Sequence, residues 1–204
     1  MLGRSIEPID HLRFESEVLP IIKAIFISES PFSPSPFNKG VEEKRILFDW
    51  NFKYTVDEPL ISPLSEAAKR VGDNGFYLRG HLPQDDAAVA WYVPFSEIEL
   101  YTQRQQSPLR SATSFEQTLV SPSGQWGIIT SHETHMLLGS TKEFMRNLEE
   151  LSPSVDNQVY QFIEHWQDVK TSGGSSTESW LPGLMEQVYG KEAAARMLDA
   201  AELP

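Results

Sequence analysis

The residues best suited to chemistry lie in one short stretch, residues 131–135, which reads Ser-His-Glu-Thr-His. Two imidazoles and one carboxylate this close together could bind a metal ion or transfer protons. In the helical zinc-protease pattern, however, the two histidines are four residues apart and share one helix face. Here they are three apart, and the apolar runs on both sides predict strands. We therefore expect a polar, solvent-exposed turn between two strands. A metal site formed by His132, Glu133 and His135 is the alternative.

Other histidines give weaker signals. His81 with Asp85 and Asp86 has residue types that bind metals, but a solvated loop has the same composition. His11 and His165 flank apolar helical stripes, which favours partly buried structural residues over ligands. The sequence contains no Gly-x-Ser-x-Gly elbow, phosphate-binding glycine loop or dinucleotide fingerprint. An enzyme is therefore the less favoured class, and no cofactor is predicted.

Composition and charge exclude further kinds of site and partner. The 204 residues include no cysteine, which excludes disulfides, thiolate metal sites and cysteine nucleophiles. Seventeen basic and twenty-nine acidic residues give a net charge of -12, which repels nucleic acid and anionic lipid and favours a basic partner. The apolar run at residues 19–27 is interrupted by Lys23 and is shorter than the ~20 residues of a membrane span. We expect a cytoplasmic protein that binds neither nucleic acid nor membrane.

The pattern of apolar residues predicts an α+β fold with a mainly antiparallel sheet covered by helices. The expected strands are residues 45–56, 75–80, 88–94, 116–121, 125–131 and 135–139. The longest of them, residues 45–56, alternates so that one of its faces would be core. Pro122 and Gly124 stand at the second and fourth positions of a tetrapeptide, which favours a type I turn between two strands.

Helices are expected between and after these strands. Their start signals are Pro20 in an N-terminal helix, Ser62 and Pro63 in a second, the capping-box pair Ser140 and Glu143 in a third, and Pro153 in a fourth. Apolar residues at intervals of three or four support each of these helices.

The chain divides into a main domain at residues 1–170, a flexible Gly/Ser-rich linker at residues 171–179, and a C-terminal helical segment at residues 180–204. This segment carries an apolar stripe formed by Leu181, Leu184, Met185 and Val188. Exposing such a stripe to water costs ~25 cal/mol for each Å². We expect it to pack on its own domain, and a homodimer formed through residues 180–204 is the alternative.

One tract resembles a known group of proteins. Residues 121–140, SPSGQWGIITSHETHMLLGS, followed by Phe144, resemble a tract in small uncharacterised bacterial proteins, some of which are similar to immunity proteins of polymorphic toxin systems. Residues 74–78 and 91–94 resemble other parts of that pattern, so the resemblance covers about residues 74–150. It implies an intracellular bacterial α+β domain that acts by binding, and it carries over no catalytic residue.

Three functional hypotheses follow. The first is a non-enzymatic intracellular binding protein, such as an immunity protein that neutralises a toxin by covering its basic surface with an acidic one. The second is a metal-assisted hydrolase in which His132, Glu133 and His135 hold a metal that activates water. The third is an accessory or oligomeric scaffold protein whose C-terminal helix binds a neighbouring subunit.

Overall fold

The computed structural model describes residues 5–50, 55–81, 88–103, 108–113, 115–172 and 178–203. The strands in these ranges are β1 (Glu7–Ile9), β2 (Glu43–Phe48), β3 (Gly75–Gly80), β4 (Ala90–Pro94), β5 (Gln117–Val120), β6 (Trp126–Thr130) and β7 (His135–Ser140). They form one sheet in the order β1-β4-β3-β5-β6-β7-β2, and every neighbouring pair is antiparallel. Edge strand β1 contains Pro8, which an edge tolerates, and has no counterpart in the prediction.

The helices lie before, between and after the strands. They are α1 (His11–Arg13), α2 (Leu19–Ile25), α3 (Ile61–Arg70), α4 (Ile98–Thr102), α5 (Lys142–Leu151), α6 (Gln158–Thr171), α7 (Leu181–Tyr189) and α8 (Lys191–Ala200). A π-helical turn, Phe14–Val18, joins α1 to α2, and Pro20 lies in the first turn of α2 as expected. The predicted α+β fold is confirmed. Within the described ranges, no helix is long and apolar enough to cross a bilayer.

The sheet is buried on both faces. Side chains of successive strand residues point to opposite faces, and in β2 Ile46 and Phe48 belong to one core cluster whereas Leu47 belongs to the other. The first cluster is covered by α2, α6, α7 and α8, and the second by α3, α4 and α5. Helices on both faces explain why every residue of β6 and β7 is buried. One face of residues 45–48 is core as expected, and buried Leu47 makes the opposite face core as well.

The predicted strand at residues 45–56 is also too long. Strand β2 ends at Phe48, which pairs with His135, the first residue of β7. Strand pairing is not continued by Asp49 or Trp50, the next two described residues, and the backbone N–H of Asp49 donates to the carbonyl of Thr134 in the turn before β7. Residues 51–54 of the prediction lie outside the described ranges.

Three helix starts differ from the predicted ones by a few residues. Helix α3 begins at Ile61 and not after a Ser62 cap. The cap of α5 is Thr141, whose hydroxyl accepts a hydrogen bond from the N–H of Phe144, because β7 extends through Ser140. After Pro153 a 3-10 turn, Val155–Asn157, comes before α6. The sequence signals for helix starts mark the correct regions, but contacts with distant residues decide the residue at which each helix begins.

Two glycines allow the N-terminal segment to approach the sheet closely. Gly127 and Gly139 face each other across β6 and β7. A Cβ at Gly127 would lie 2.8 Å from the ring of Phe26, and one at Gly139 would lie 2.9 Å from the ring of Phe37. The proline-rich loop at residues 30–37 is therefore held against the sheet through buried Phe37.

The C-terminal segment packs on its own chain. Leu181, Leu184 and Met185 are buried in the same core cluster as α2 and α6. The side chain of Gln187 accepts from the N–H of Phe37 at 3.1 Å and donates to its carbonyl at 2.8 Å. Gly190, with φ of +81°, separates α7 from α8. Most of the predicted linker, residues 173–177, lies outside the described ranges.

Candidate functional site

The Ser-His-Glu-Thr-His stretch forms a turn between β6 and β7. The N–H of Ser131 donates to the carbonyl of His135 at 2.9 Å, and its hydroxyl accepts from the N–H of Glu133 at 2.8 Å. Thr134 has a φ of +68°, a conformation that closes tight turns. His132 is exposed, whereas Glu133 and Thr134 are only partly exposed. The predicted connection between strands is confirmed, and its exposure is greatest at His132.

The three residues of the predicted metal site have different surroundings. His132 Nε2 lies 3.6 Å from a carboxylate oxygen of Glu133. His135 is fully buried: its Nε2 lies 3.1 Å from the carbonyl oxygen of Pro31, and its ring stacks on Trp180 at 5.6 Å. Burial lowers the pKa of His135 to about 4. In the described part of the chain, no three His, Asp or Glu side chains are arranged to hold a metal ion.

Folding brings two predicted polar clusters together at one carboxylate. Glu116, just before β5, lies 2.8 Å from Nδ1 of His132 and 3.6 Å from Nδ1 of His81. Nε2 of His81 lies 2.8 Å from the hydroxyl of Thr118, which in turn donates to Glu29 at 2.8 Å. The histidine–glutamate network consists of Glu29, Arg79, His81, Glu116, Thr118 and His132, with Arg79 paired to Glu29.

The network contains the outline of a hydroxyl–imidazole–carboxylate triad, formed by Thr118, His81 and Glu116. In a working triad the imidazole accepts the hydroxyl proton. Here that proton is donated to Glu29, and Thr118 is only 1% exposed, so a substrate cannot reach its oxygen. Burial alone would raise the pKa of Glu116, but hydrogen bonds with His81 and His132 outweigh it and lower the pKa. The geometry favours ion pairing that fastens the segment at Glu29 to the sheet.

The sequence predicts His81 and His132 as members of two separate polar clusters. It does not predict the acidic residues, Glu116 and Glu29, that connect them in one network. Glu116 and Glu29 have no other acidic residue near them in the sequence, and no local pattern marks them. Pairing of β3 with β5, and of β5 with β6, brings Glu116 to the histidines, whereas Glu29 lies after α2 and joins the network through Thr118 and Arg79. Asp85 and Asp86, predicted beside His81, lie outside the described ranges.

A cavity of about 310 Å³ lies where β2 ends beside α6. We call it the Trp50 cavity. It is lined by Phe48, Asp49, Trp50, Asp57, Pro59, Leu60, Met136, Ser154, Asn157, Gln158 and Gln161. Its volume is at the lower end of the range for small-molecule sites. The side chain of Gln158 is fixed, because its Oε1 accepts from the N–H of Phe48 at 3.0 Å.

Trp50 is exposed but supported from beneath. Half of its surface is exposed (51%), although the strand pattern predicts a core residue. Its ring meets Phe48 edge to face at 4.9 Å and His165 at 5.5 Å. The turn away from β2 explains the exposure, since Trp50 lies beyond the last paired residue. Trp50 therefore exposes a large apolar surface to solvent while its ring packs against Phe48 and His165.

Two acidic side chains contribute to the described lining of the Trp50 cavity. Asp49 and Asp57 both line it, and the described lining residues include no lysine, arginine or histidine. Asp57 is held in position by the hydroxyl of Thr55, which donates to its carboxylate at 2.7 Å. An indole surface beside carboxylates attracts cations, through the electrons of the ring and through charge-assisted hydrogen bonds.

The chain matches no protein-family model, no curated protein and no solved structure, so its functional assignment depends on the geometry of its own residues.

Proposed function

We propose that the protein is a non-enzymatic binding protein, an immunity protein that neutralises a basic toxin through its acidic surface. The observation that carries the proposal is Trp50, which is half exposed at the edge of a cavity that Asp49 and Asp57 also line. Tryptophan is enriched among the few residues that dominate binding energy at protein interfaces. A single exposed tryptophan that rests on buried Phe48 and partly buried His165 has the form of such an anchor.

Net charge supplies the second support. The charge of -12 attracts a basic protein over distances limited by salt, with a screening length of ~10 Å at moderate ionic strength. Such attraction mainly speeds and orients association, whereas buried anchors slow dissociation. The acidic surface and Trp50 therefore have different kinetic effects, which can be measured separately.

The two alternatives receive less support. A hydrolase that uses His132, Glu133 and His135 needs all three on one ion, but His135 is directed to the carbonyl of Pro31 in an aromatic environment. A scaffold that binds through its C-terminal helix needs a free apolar stripe. Leu181, Leu184 and Met185 of that stripe are buried in their own chain.

A growth assay tests the proposal. The genes beside this protein's gene are first searched for a toxin domain, and that domain is then expressed in bacteria with and without the full-length protein. Wild type is expected to restore growth, and Trp50→Ala, which removes an exposed side chain, is expected to protect poorly while remaining folded. Asp199→Asn, which removes one exposed charge on α8, serves as the control and is expected to protect as wild type does. Failure of the wild-type protein to restore growth would overturn the proposal.

A further inference from the structure

We infer that the exposed face of α6, together with Trp50 beside it, binds a basic amphipathic helix of the partner protein. This inference rests on the proposed function for the identity of the partner. The surface consists of Trp50, Tyr160, Gln161, Glu164 and Asp168, all of them exposed, and we call it the α6 surface.

Two exposed aromatic side chains belong to the α6 surface. Among the described residues, the exposed large apolar side chains are Leu12, Ile27, Trp50 and Tyr160. Tyr160 lies on α6 and is 58% exposed, and the ring of Trp50 lies 5.5 Å from the ring of His165 on the same helix. Tyrosine and tryptophan are enriched at protein interfaces, where each buries a large area. Two of these four side chains therefore lie at one helix.

The outer face of α6 presents its groups in one row. The opposite face is core, and its buried residues are Val159, Phe162, Ile163 and Trp166. At 3.6 residues per turn, Tyr160, Glu164 and Asp168 follow one another along the outer side at intervals of about one turn. All three are exposed, so the row begins with an aromatic ring and continues with two carboxylates.

The charge of this row is negative. Glu164 and Asp168 form no salt bridge with any described residue, and Lys170 of the same helix donates to the backbone carbonyl of Glu202. His165 does not offset the carboxylates, because burial lowers its pKa and leaves the ring neutral at pH 7. A partner with basic side chains is therefore favoured by charge complementarity.

The spacing of the row suits a helix in the partner. Glu164 and Asp168 are four residues apart, which corresponds to about 6 Å along the helix axis. Two lysine or arginine side chains four residues apart in a partner helix have the same spacing, so each can meet one carboxylate. An apolar side chain one turn further along that helix reaches Tyr160. Recognition of a helix through groups at such intervals is a common mode of binding.

A titration of the full-length, ¹⁵N-labelled protein tests the inference. The probe is a blocked, alanine-rich helical peptide in which one leucine and two lysines follow at intervals of four residues. The readouts are the indole N–H signal of Trp50 and the backbone amide signals of Glu164 and Asp168. We expect these signals to shift and to saturate. A control peptide in which glutamate replaces both lysines should leave them unmoved, and unmoved signals with the lysine peptide would overturn the inference.

Matched double variants locate the charged part of the site. Glu164→Gln combined with Asp168→Asn removes two charges from the α6 surface and should weaken peptide binding about fivefold or more. Glu192→Gln combined with Asp199→Asn removes two exposed charges from α8 and should bind as wild type does. Equal weakening by the two double variants would overturn the inference, because it would mean that net charge alone attracts the peptide.

The aromatic part of the site has its own matched pair. Tyr160→Ala should weaken peptide binding about threefold or more, because the leucine of the probe loses its contact. Leu12→Ala removes an exposed apolar side chain from α1, which follows the opposite edge strand β1, and should change nothing. Equal binding by these two variants would also overturn the inference.

Failure of this inference can be distinguished from failure of the proposed function. Peptide binding at the α6 surface without protection in the growth assay would refute the toxin-neutralising role and leave the α6 surface as a site for basic helices. Full protection by the variant with Glu164→Gln and Asp168→Asn would refute the role of these carboxylates and leave the toxin-neutralising role intact.

Discussion

Buried His135 should make stability depend on pH. The ring lies between the carbonyl of Pro31 and the rings of Trp180 and Phe162, and burial lowers its pKa from 6.5 to about 4. In the unfolded chain the same imidazole titrates near its ordinary value. The folded state therefore binds this proton less readily than the unfolded state.

The sign and size of this pH dependence follow from the linkage between proton binding by His135 and folding. The pKa of His135 is lower in the folded state than in the unfolded state, so the contribution of its neutral form to stability is fully present above pH ~7. This contribution is lost as the pH falls through 6.5 toward 4. At about 1.4 kcal/mol for each pKa unit, the whole effect is ~3 kcal/mol. About 2 kcal/mol of it should already be lost at pH 5.

Urea unfolding of the full chain between pH 8 and pH 5 measures the effect. His135→Phe keeps a ring against Trp180 but cannot be protonated, so wild type should lose ~2 kcal/mol more than this variant as the pH falls. His11→Gln is the control, because His11 is exposed and should follow wild type. Parallel stability curves for wild type and His135→Phe would refute the reasoning.

Three further predictions concern packing and the histidine–glutamate network. Gly139→Ala should lower the free energy of unfolding by ~1–3 kcal/mol, because the new methyl meets Phe37, whereas Gly40→Ala, with open space around it, should change little. Equal urea midpoints for the two variants would contradict this. Glu116→Gln should cost ~1 kcal/mol at pH 7. Since the pKa of Glu116 is lowered in the folded state, the stability that Glu116→Gln loses relative to wild type should shrink as the pH falls through that pKa. A loss of stability that does not depend on pH would argue against the ion pairs. Leu184→Ala should lower stability by ~2–5 kcal/mol in thermal or urea unfolding, and an unchanged value would mean that α7 does not pack as described.

Features fixed by local chemistry could be predicted from the sequence. The turn between β5 and β6 follows from Pro122 and Gly124, and the N–H of Gly124 indeed donates to the carbonyl of Ser121. Gly190 ends α7 for the same kind of reason, since glycine readily adopts a positive φ. Such signals need no knowledge of distant residues.

Features decided by pairing with distant residues could not be predicted. The alternation of residues 45–56 continues past Phe48, but the partner strand begins at His135, and nothing near Phe48 in the sequence reports that limit. The same limit leaves Trp50 exposed where the pattern predicts core.

Only parts of the candidate sites could be predicted from the sequence. His132 and Glu133 are neighbours in sequence and in space, whereas Glu116 reaches His132 through strand pairing and Glu29 reaches His81 through Thr118. His135 has the residue type of a ligand but is enclosed by aromatic rings that come from Phe32, Phe162 and Trp180. Burial by distant elements, which decides its chemistry, leaves no local mark in the sequence.

The central claim is the proposed complex with a basic toxin domain, and the dissociation constant of that complex tests it most directly. Measured by calorimetry at one salt concentration, Trp50→Ala should raise it about thirtyfold, the loss expected for an anchor residue worth ~2 kcal/mol. Asp199→Asn should leave it within about twofold, because it changes only an exposed surface charge. Equal dissociation constants for wild type and Trp50→Ala would contradict the account.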